Sequence, residues 1–489
     1  MTQPPLSFRF ICTLALYSNL LRLVAPFLRI KAIRRGRKEP GYLHAIDERF
    51  ARYDKTTNHI GDFKNGSIWI HAVSLGETKA AQVLIKALLD SAASSDKSAH
   101  QSPHFLLTHS TATGRQAGLE LIRSLELGES QALQVWYPWD TPGGVDRFLN
   151  QFKPSLGLLM ETEVWPNMVM ACYRNNLPLI LVNARMNEKS FKSAKALGLF
   201  AHTVYQRLTA VFAQAPADAK RLKALGAPVV GSFGNLKFDA SVDELQRSKG
   251  LEFAQNYFNT SQKSIILLAS SREGEEALLF HALVANKLLT QGIQWLIVPR
   301  HPQRFDEVQK IALQFGFAVS RRIAQDTHQD TNQDTHQDTL EETLTDTDED
   351  APKAQLEYFE HSPLNPHMVG EIWIGDSVGE MPLYYGMAKV ALLGGSFEPL
   401  GGQNLIEAAA CACPVVMGPH VFNFTQAAQQ AIARGAAIQT PSLHDACQRA
   451  HQIALNPAKQ TNMSRLSIEF ASENRGAVSR TIEALKNYI

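Results

Sequence analysis

The sequence predicts an α/β protein with two doubly wound, Rossmann-like domains facing a cleft, preceded by an N-terminal membrane-anchoring helix. Three observations predict this fold. Short apolar runs of β propensity alternate with helical periodicity along most of the 489 residues. The alternation starts twice, at Ile68 and again at Ser264. Small and polar residues follow the apolar runs, at the strand ends where open α/β sheets place their ligands.

Composition limits the possible classes of function. A hydrophobic fraction of 45% and a charged fraction of 19% are typical of a folded body, and the length favours two domains. The net charge of +1 gives no indication of nucleic-acid binding, so no nucleic-acid partner is expected. The five cysteines are odd in number and lack zinc-site spacing, which favours reduced thiols in a cytoplasmic compartment.

Residues 1–40 predict a membrane anchor with a basic flank. Residues 10–30 are largely apolar and about long enough to span a bilayer. Positive charge after the apolar run favours a main body in the cytoplasm and suits anionic lipid headgroups. A spanning anchor is favoured over an in-plane amphipathic helix, which remains open; a buried core helix would leave the basic flank unexplained. The flank comprises Lys31, Arg34, Arg35, Arg37 and Lys38.

The N-terminal domain is predicted over residues 41–245, with six candidate strands. After the first strand, Glu77 falls in the first turn of a helix, where the helix dipole stabilises a carboxylate. We therefore expect Glu77 to be ionised and able to accept a proton; a helix cap is the alternative interpretation. The strands are residues 68–73, 104–108, 133–137, 156–160, 178–182 and 210–213.

Two later strand ends of this domain carry further candidate residues. Glu161 and Glu163 precede a helix that Pro166 can start, and a structural role for one of them is expected. Lys237 follows a glycine-rich turn and would supply a cation there, with a solvated surface lysine as the alternative. Neither a Gly-x-Gly-x-x-Gly nor a Walker loop follows the first strand, so a dinucleotide cofactor is not expected.

The C-terminal domain is predicted over residues 246–465 and carries a nucleotide-type site. Arg300 follows Pro299 at a strand end, which suits a guanidinium that binds phosphate or carboxylate. Two glycine doublets, at 394–395 and 401–402, precede a helix start where a phosphate can approach free N–H groups. Asn404 and Glu407 lie one turn apart on that helix and could bond ribose or base.

Two other segments complete the chain. Residues 324–352 are rich in Gln, Asp and Thr and contain neither Lys nor Arg, so they cannot bury a core. They predict a disordered surface insert. Residues 466–489 predict a closing helix.

Nine motifs in order resemble the 3-deoxy-D-manno-octulosonic acid (Kdo) transferases of lipid A assembly, which have the glycosyltransferase B-type fold. The resemblance covers nearly the whole chain. Two departures lie beside the nucleotide site: Ser271-Arg272 where the family usually has Thr-His, and Gln403 where it usually has His. The motifs are residues 35–38, 71–77, 161–167, 183–185, 234–239, 299–304, 375–380, 394–407 and 417–424.

The resemblance implies an inverting transfer of Kdo from CMP-Kdo to a lipid A precursor, lipid IVA, at the cytoplasmic face of the inner membrane. Glu77 would be the general base, and Glu161 and Lys237 would help to stabilise the transition state. No cofactor and no metal ion are expected, because Arg300 and the helix end can take up the charge of the departing phosphate. The CMP contacts would come from Pro299, Arg300, Val378, Gly379, Glu380, Asn404, Leu405, Ile406 and Glu407.

Two alternatives remain open. Another nucleotide-sugar enzyme of the same fold, such as a lipid A disaccharide synthase or a 2-epimerase, would share the layout, although the anchor argues against the epimerase. A catalytically inactive, membrane-tethered nucleotide-binding protein belongs to a different class. The presence of Glu77 favours catalysis, because nucleotide binding alone requires only the C-terminal site.

Overall fold

The structure is a computed structural model that describes residues 6–37, 39–53, 66–93, 103–322, 359–360 and 368–489. It divides into two compact units. Unit 1 comprises Met1–Ala240 and Asn474–Ile489, and unit 2 comprises Ser241–Glu473. The insert predicted at residues 324–352 lies outside the described residues, as does Lys38.

The elements alternate between strand and helix as predicted. The strands are β1 (Ile68–His71), β2 (Phe105–His109), β3 (Ala132–Trp136), β4 (Leu156–Met160), β5 (Leu179–Ala184), β6 (Ala210–Ala213), β7 (Val229–Ser232), β8 (Ser264–Ser271), β9 (Ile293–Pro299), β10 (Ala318–Arg322), β11 (Phe359–Glu360), β12 (Glu371–Ile374), β13 (Val390–Leu393), β14 (Val415–Met417) and β15 (Ala437–Gln439).

The helices are α1 (Phe8–Gly36), α2 (Leu75–Ala93), α3 (Ala112–Ser124), α4 (Pro142–Phe152), α5 (Pro166–Arg174), α6 (Glu188–Ala196), α7 (Leu199–Gln206), α8 (Pro216–Ala224), α9 (Glu244–Ser261), α10 (Glu275–Ala285), α11 (Phe305–Gln314), α12 (Met381–Met387), α13 (Leu405–Ala410), α14 (Thr425–Ala433), α15 (Leu443–Ala454), α16 (Pro457–Glu473) and α17 (Ala477–Leu485).

Unit 1 is built on a parallel sheet with strand order β3-β2-β1-β4-β5-β6-β7. β1 pairs with both β2 and β4, so the strand order reverses there and creates a topological switch point. The six strands predicted for this domain are confirmed, with ends that move by at most two residues. β7 was missed because it is short, contains Gly231 and lies at the sheet edge.

Both faces of this sheet carry apolar side chains, because successive strand residues point to opposite sides. Trp69 belongs to one buried cluster, which also includes Phe10 of α1. Ile70 belongs to a second cluster, with Leu84 of α2 and Leu485 of α17. Helices therefore cover the sheet on both faces, and one of them comes from the C-terminal end of the chain.

By its length and composition, helix α1 could cross a membrane. Among the described residues it is the one helix that meets this criterion. Ser7 caps it, since the Ser7 hydroxyl accepts a hydrogen bond from the Phe10 N–H at 3.2 Å. Length and composition alone are weak evidence for anchoring, because signal sequences and core helices share them.

Unit 2 contains a second sheet, with strand order β11-β10-β12-β9-β8-β13-β14-β15. All pairs are parallel except β10 with β11. β8, the first strand of the unit, lies between β9 and β13. The switch point of this sheet is therefore also beside its first strand, and the predicted fold of two doubly wound domains is confirmed.

The C-terminal end differs from the single closing helix that the sequence predicts over residues 466–489. α16 ends at Glu473 in unit 2, and α17 belongs to unit 1. Gly476 separates them, with φ 91°, a left-handed conformation that glycine adopts without strain. Asp239 then holds the start of α17, because its carboxylate accepts hydrogen bonds from the N–H groups of Gly476 at 2.5 Å and Val478 at 2.7 Å.

Candidate active site

The switch point of unit 1 places two predicted carboxylates after neighbouring strands. Glu77 lies in the first turn of α2, directly after β1, and Glu161 directly follows β4. β1 and β4 are adjacent and parallel, so both residues belong to the same edge of the sheet. The Glu77 carboxylate accepts a hydrogen bond from the Val73 N–H at 2.5 Å, which closes the turn between β1 and α2.

The pKa of Glu77 is shifted in the direction opposite to the one that its position at the helix start predicts. Burial raises its pKa, and the nearby charge of Glu161 raises it further, to about 8. The hydrogen bond from Val73 and the positive charge of Lys237 lower the pKa but do not offset these effects. The direction of this shift opposes the expectation that the helix dipole keeps the carboxylate ionised. Once deprotonated, a group with this pKa is a strong base near neutral pH.

Glu161 and Lys237, predicted to act together, form a buried ion pair. The Lys237 Nζ donates to the Glu161 Oε1 at 2.8 Å, and their side chains are 17% and 11% exposed. The alternative of a solvated Lys237 is therefore wrong. Glu161 has φ 60°, a left-handed conformation that is costly for a side chain with a Cβ. Neighbouring backbone maintains it, because Arg185 donates its N–H to the Glu161 carbonyl at 3.0 Å.

Lys237 lies beside the turn that carries Glu77. A Cβ placed on Gly76 would be 3.8 Å from the Lys237 Nζ. The backbone of this lysine segment is held by Asn183, whose side-chain oxygen accepts the Leu236 N–H at 3.1 Å. The structure thus gathers Glu77, Glu161 and Lys237, the three residues to which the resemblance assigns catalysis, into one cluster with a single cation.

Glu163 makes a different contact, although its charge also raises the pKa of Glu77. Its carboxylate accepts a hydrogen bond from the Trp165 indole N–H at 2.7 Å, and burial raises its pKa. A structural role was expected for one of the two carboxylates; Glu163 has a hydrogen-bond partner in Trp165, and Glu161 has an ion-pair partner in Lys237.

Asp140 is a residue that sequence reasoning missed. It follows β3, and its carboxylate accepts hydrogen bonds from the backbone N–H groups of Asn167 at 2.9 Å and Met168 at 2.8 Å. It therefore caps α5, the helix after the Glu161 loop. Trp165, the residue before Pro166, has no side-chain oxygen that could cap the helix. The sequence therefore indicated only that a cap would have to come from elsewhere in the chain. Burial raises the pKa of Asp140 to about 7.

The two glycine doublets of unit 2 pair with each other. Gly402 donates its N–H to the Gly395 carbonyl at 2.7 Å, and Gln403 donates to the Gly394 carbonyl at 3.0 Å. The loop before α13 is therefore folded back onto the end of β13. Gly394 needs to lack a side chain, since a Cβ there would lie 2.3 Å from the Ser270 carbonyl oxygen.

Glu275, in the first turn of α10 after β8, organises this glycine loop. Its carboxylate accepts three backbone N–H groups, from Arg272 at 2.9 Å, Gly395 at 2.7 Å and Phe397 at 3.1 Å. This role of Glu275 was not predicted from the sequence. The signal was its position, because Glu275 stands in the first turn after the first strand of its unit, as Glu77 does in unit 1.

Arg300 lies at the end of β9, next to β8. Its N–H donates to the Ser271 carbonyl at 3.0 Å. Burial lowers the pKa of the guanidinium, and the charge of Glu407 partly offsets this, while Arg272 lowers the pKa further. Arg300 and Glu407, both predicted to contact the nucleotide, therefore act on each other electrostatically. Arg272, one of the two departures from the family pattern, adds positive charge to the same group.

The other predicted nucleotide contacts differ in what they can offer. The side chains of Leu405 and Ile406 are in the core, so these residues can contribute only backbone groups. The Asn404 side-chain oxygen caps α13 by accepting the Ile406 N–H at 3.2 Å. Pro299 ends β9 and is buried.

The segment from residue 378 to 380 is more exposed. Val378 is 75% exposed and Gly379 has φ 85°. Glu380 accepts two hydrogen bonds from Arg322, at 2.6 and 2.7 Å. Burial by itself would raise the pKa of Glu380, but these hydrogen bonds outweigh it and lower the pKa. Across the described ranges, no cluster of three or more His, Cys, Asp or Glu residues could hold a metal ion.

Solved structures with the same architecture include proteins in complex with UDP-GlcNAc or UDP. UDP-GlcNAc 2-epimerase from Neisseria meningitidis, bound to UDP-GlcNAc, matches with a TM-score of 0.51 and 13% identity over 86% of this chain and 100% of that chain. Anabaena Alr3699/HepE in complex with UDP matches with a TM-score of 0.52 and 11% identity, over 86% and 100%. At these identities the match shows the fold alone, which is that of the B-type glycosyltransferases.

Sequence relatives identify the family within this class. Residues 44–240 match the family model of 3-deoxy-D-manno-octulosonic-acid transferase (kdotransferase). The chain is 36% identical to the 3-deoxy-D-manno-octulosonic acid transferase of Bordetella pertussis, over 97% of this chain and 99% of that protein. It is 27% identical to the Haemophilus influenzae enzyme of the same name, over 97% and 98%. The chain belongs to the Kdo transferase family and is a glycosyltransferase, which confirms the resemblance found in the sequence.

Proposed function

We propose that the protein transfers Kdo from CMP-Kdo to the lipid A precursor lipid IVA, with inversion, in lipopolysaccharide biosynthesis, and that Glu77 is the general base. The observation that carries this proposal is the contrast between Glu77 and Glu275. They occupy equivalent positions in the two units, each in the first turn of the helix after the first strand.

The two carboxylates differ in how fully their oxygens are used. Glu275 is completely buried and accepts three backbone N–H groups, so it is a structural residue. Glu77 is partly exposed and, in the described part of the chain, accepts its hydrogen bond from Val73. Lone pairs that remain accessible, together with a pKa of about 8, suit proton abstraction from a sugar hydroxyl.

The neighbouring groups support the same chemistry. A Kdo donor carries a carboxylate and its transition state has oxocarbenium character, so a fixed cation and a fixed anion both have a use there. Lys237 would bind the donor carboxylate, and Glu161 would orient Lys237 and stabilise positive charge on the sugar. The buried ion pair between them supplies this arrangement before substrate arrives.

Unit 2 would bind CMP through the residues that the resemblance assigns. Arg300 would take up charge on the departing phosphate, and Glu407 and Asn404 would contact the nucleoside. Arg272 places a second guanidinium near Arg300, which would strengthen binding of an anionic donor. These contacts require no metal ion.

We also place the protein at the cytoplasmic face of the inner membrane. Helix α1 supplies an apolar surface, and the basic residues at its C-terminal end would bind anionic lipids. A lipid acceptor lies in this membrane, so attachment brings the enzyme to its substrate.

The test is Glu77→Gln, which keeps the shape of the side chain but removes its basicity. Loss of a positioned base typically lowers the rate by about 10²–10⁴-fold. We expect single-turnover Kdo transfer to lipid IVA, followed by mass spectrometry, to fall by this factor. CMP affinity measured by calorimetry should be unchanged, because the proposed CMP contacts are in unit 2.

Glu188→Gln is the matched control. Glu188 also lies in the first turn of a helix, but its side chain is 57% exposed and pairs with Arg221. Its substitution should leave transfer unchanged. The main effect of Arg300→Ala should be weaker CMP binding. Ordinary turnover in Glu77→Gln would end the proposal that this residue is the base.

A further inference from the structure

Helix α1 has two different faces, although its composition is apolar throughout. One face contacts the folded part of unit 1 from end to end. Side chains on this face are buried or half-buried in every turn, from Phe10 near the start to Ala32 and Gly36 near the end. Such continuous contact is unusual for a helix that leaves the protein to cross a bilayer.

Specific polar contacts hold the first half of this face. The Ser18 hydroxyl donates to the Asn167 side-chain oxygen at 2.9 Å in a buried position. The Tyr17 hydroxyl donates to the Asp140 carboxylate at 3.0 Å. Phe10 stacks on Phe200 with ring centroids 5.5 Å apart.

The second half is held as well. Arg29 pairs with Asp47 at 3.2 Å, and the Arg35 guanidinium lies over the Tyr42 ring at 4.3 Å. At its end, Gly36 packs so closely against Leu43 that a Cβ would lie 2.4 Å from a leucine carbon. The contacts at both ends bind the helix to unit 1 as a rigid part of it.

The opposite face is an exposed apolar stripe. Its five members, spaced alternately four and three residues apart, lie on one side of the helix. Each is between 47% and 73% exposed. The stripe is about 21 Å long at a rise of about 1.5 Å per residue. It consists of Leu16, Leu20, Leu23, Phe27 and Ile30.

We infer that α1 lies in the plane of the membrane, with this stripe in the headgroup and acyl boundary of an anionic leaflet, and does not span the bilayer. A spanning helix would have to pull Tyr17 and Ser18 away from Asp140 and Asn167, which would leave buried polar groups without partners. An interfacial helix keeps every one of these contacts and still buries its leucines.

Charge complementarity favours an anionic leaflet over another apolar partner. Exposed basic residues lie along α1 or at its end, including Arg22, Lys31 and Arg34. Lysine and arginine side chains near such a surface are attracted to anionic headgroups. The inference rests on the proposed membrane location and specifies how the helix uses it.

The contacts also connect the membrane surface to the catalytic cluster. Asn167 accepts a hydrogen bond from Ser18. It lies in the first turn of α5, directly after the loop that follows Glu161. A helix in the interface therefore places this loop close to the lipid surface. A lipid-anchored acceptor could reach it with its sugar in water and its acyl chains in the leaflet.

Depth-dependent fluorescence quenching tests the orientation. In a Cys12→Ser background the four remaining cysteines are buried, so a single introduced cysteine can be labelled selectively with an NBD maleimide. Labels at Leu16→Cys, Leu23→Cys and Ile30→Cys would be compared in the full chain bound to vesicles of phosphatidylethanolamine and phosphatidylglycerol. Lipids with nitroxides at a shallow and at a deep acyl position serve as quenchers.

The in-plane helix predicts the same shallow depth for all three labels. A label at Leu23 clearly deeper than those at Leu16 and Ile30 would show a spanning helix and overturn the inference. Absence of quenching at all three would also overturn it, since a second copy or another protein would then cover the stripe. Leu288→Cys, at an exposed leucine of unit 2, is the unquenched control.

This outcome is separable from that of the catalytic proposal. Glu77→Gln acts on transfer and leaves the depth profile unchanged. A spanning profile would refute the in-plane helix even if Kdo transfer behaves as proposed. Conversely, a shallow profile with ordinary transfer in Glu77→Gln would retain the helix orientation and reject the base.

Discussion

Glu77 and Glu161 share one positive charge, that of Lys237. Lys237 pairs directly with Glu161, so the negative charge that Glu77 would acquire is the less compensated one. Burial and this uncompensated charge both raise the pKa of Glu77. A substrate that binds Lys237 or alters the exposure of Glu77 would change this balance, and the ionisation of Glu77 would then respond to substrate binding.

The raised pKa predicts the pH dependence of the reaction. If Glu77 must lose its proton, the single-turnover rate at saturating CMP-Kdo should increase about tenfold per pH unit well below the pKa and level off above about pH 8. The residual rate of Glu77→Gln should not show this increase. A wild-type rate already level at about pH 6 would contradict the prediction.

The same pKa has a consequence for stability. The folded pKa of about 8 is higher than the ordinary value of 4.5, so folding favours the protonated form. The contribution of protonated Glu77 to the free energy of unfolding is complete below about pH 4.5 and is lost as the pH rises to about 8. In Glu77→Gln the side chain is neutral at every pH. The melting temperature of this variant, relative to that of the wild type, should therefore rise between about pH 4.5 and pH 8.

The sequence was sufficient to place Glu77 after the first strand, because the strand, turn and helix are local. Its pKa was not predictable in this way. It depends on Glu161 and Lys237, which are distant in the chain and meet Glu77 only in the folded sheet. For the same reason the sequence could not distinguish a solvated Lys237 from one paired with Glu161.

At the scale of elements, buried parallel strands were predictable because their apolar runs are continuous. The sequence also showed that α1 is apolar and followed by positive charge. It could not show which face contacts the protein, because the partners of Tyr17 and Ser18 are at Asp140 and Asn167.

The attachment of α17 to unit 1 can be tested at Asp239. This carboxylate accepts two N–H groups at the start of α17. Loss of a cap typically costs about 1 kcal/mol, and the two hydrogen bonds here favour the upper part of the usual range, about 2 kcal/mol. Asp239→Ala should therefore lower the free energy of unfolding, measured with urea, by about that amount.

Asp243→Ala is the control for this measurement. Asp243 caps α9 by accepting the Gln246 N–H at 3.0 Å, in a more exposed setting. Its loss should cost less. Equal effects of the two substitutions would show that Asp239 is an ordinary cap with no special role in holding the C-terminal end of the chain.

For the whole molecule, two Rossmann-like units were predictable because the strand and helix pattern starts twice. The return of the last residues to unit 1 was not. Residues 466–489 have helical periodicity throughout, and the break at Gly476 becomes visible only through its φ and its contact with Asp239.

Deletion of residues 324–352 tests whether the predicted insert has any part in the fold. Their composition includes few core-forming side chains, so deletion should leave the melting temperature and Kdo transfer nearly unchanged. Thermal unfolding and single-turnover transfer of the shortened protein would be compared with the full chain. A large loss of melting temperature would show that the segment is structural.

The division of unit 1 between the two ends of the chain also determines the order in which the protein can be completed during synthesis. Unit 2 is one continuous segment, so all of it has been synthesised before residues 474–489 are added. The apolar face of α2 that Leu485 covers must remain uncovered until then. Unit 1 therefore starts to form first and closes last, whereas α1 is synthesised before the strands of either sheet.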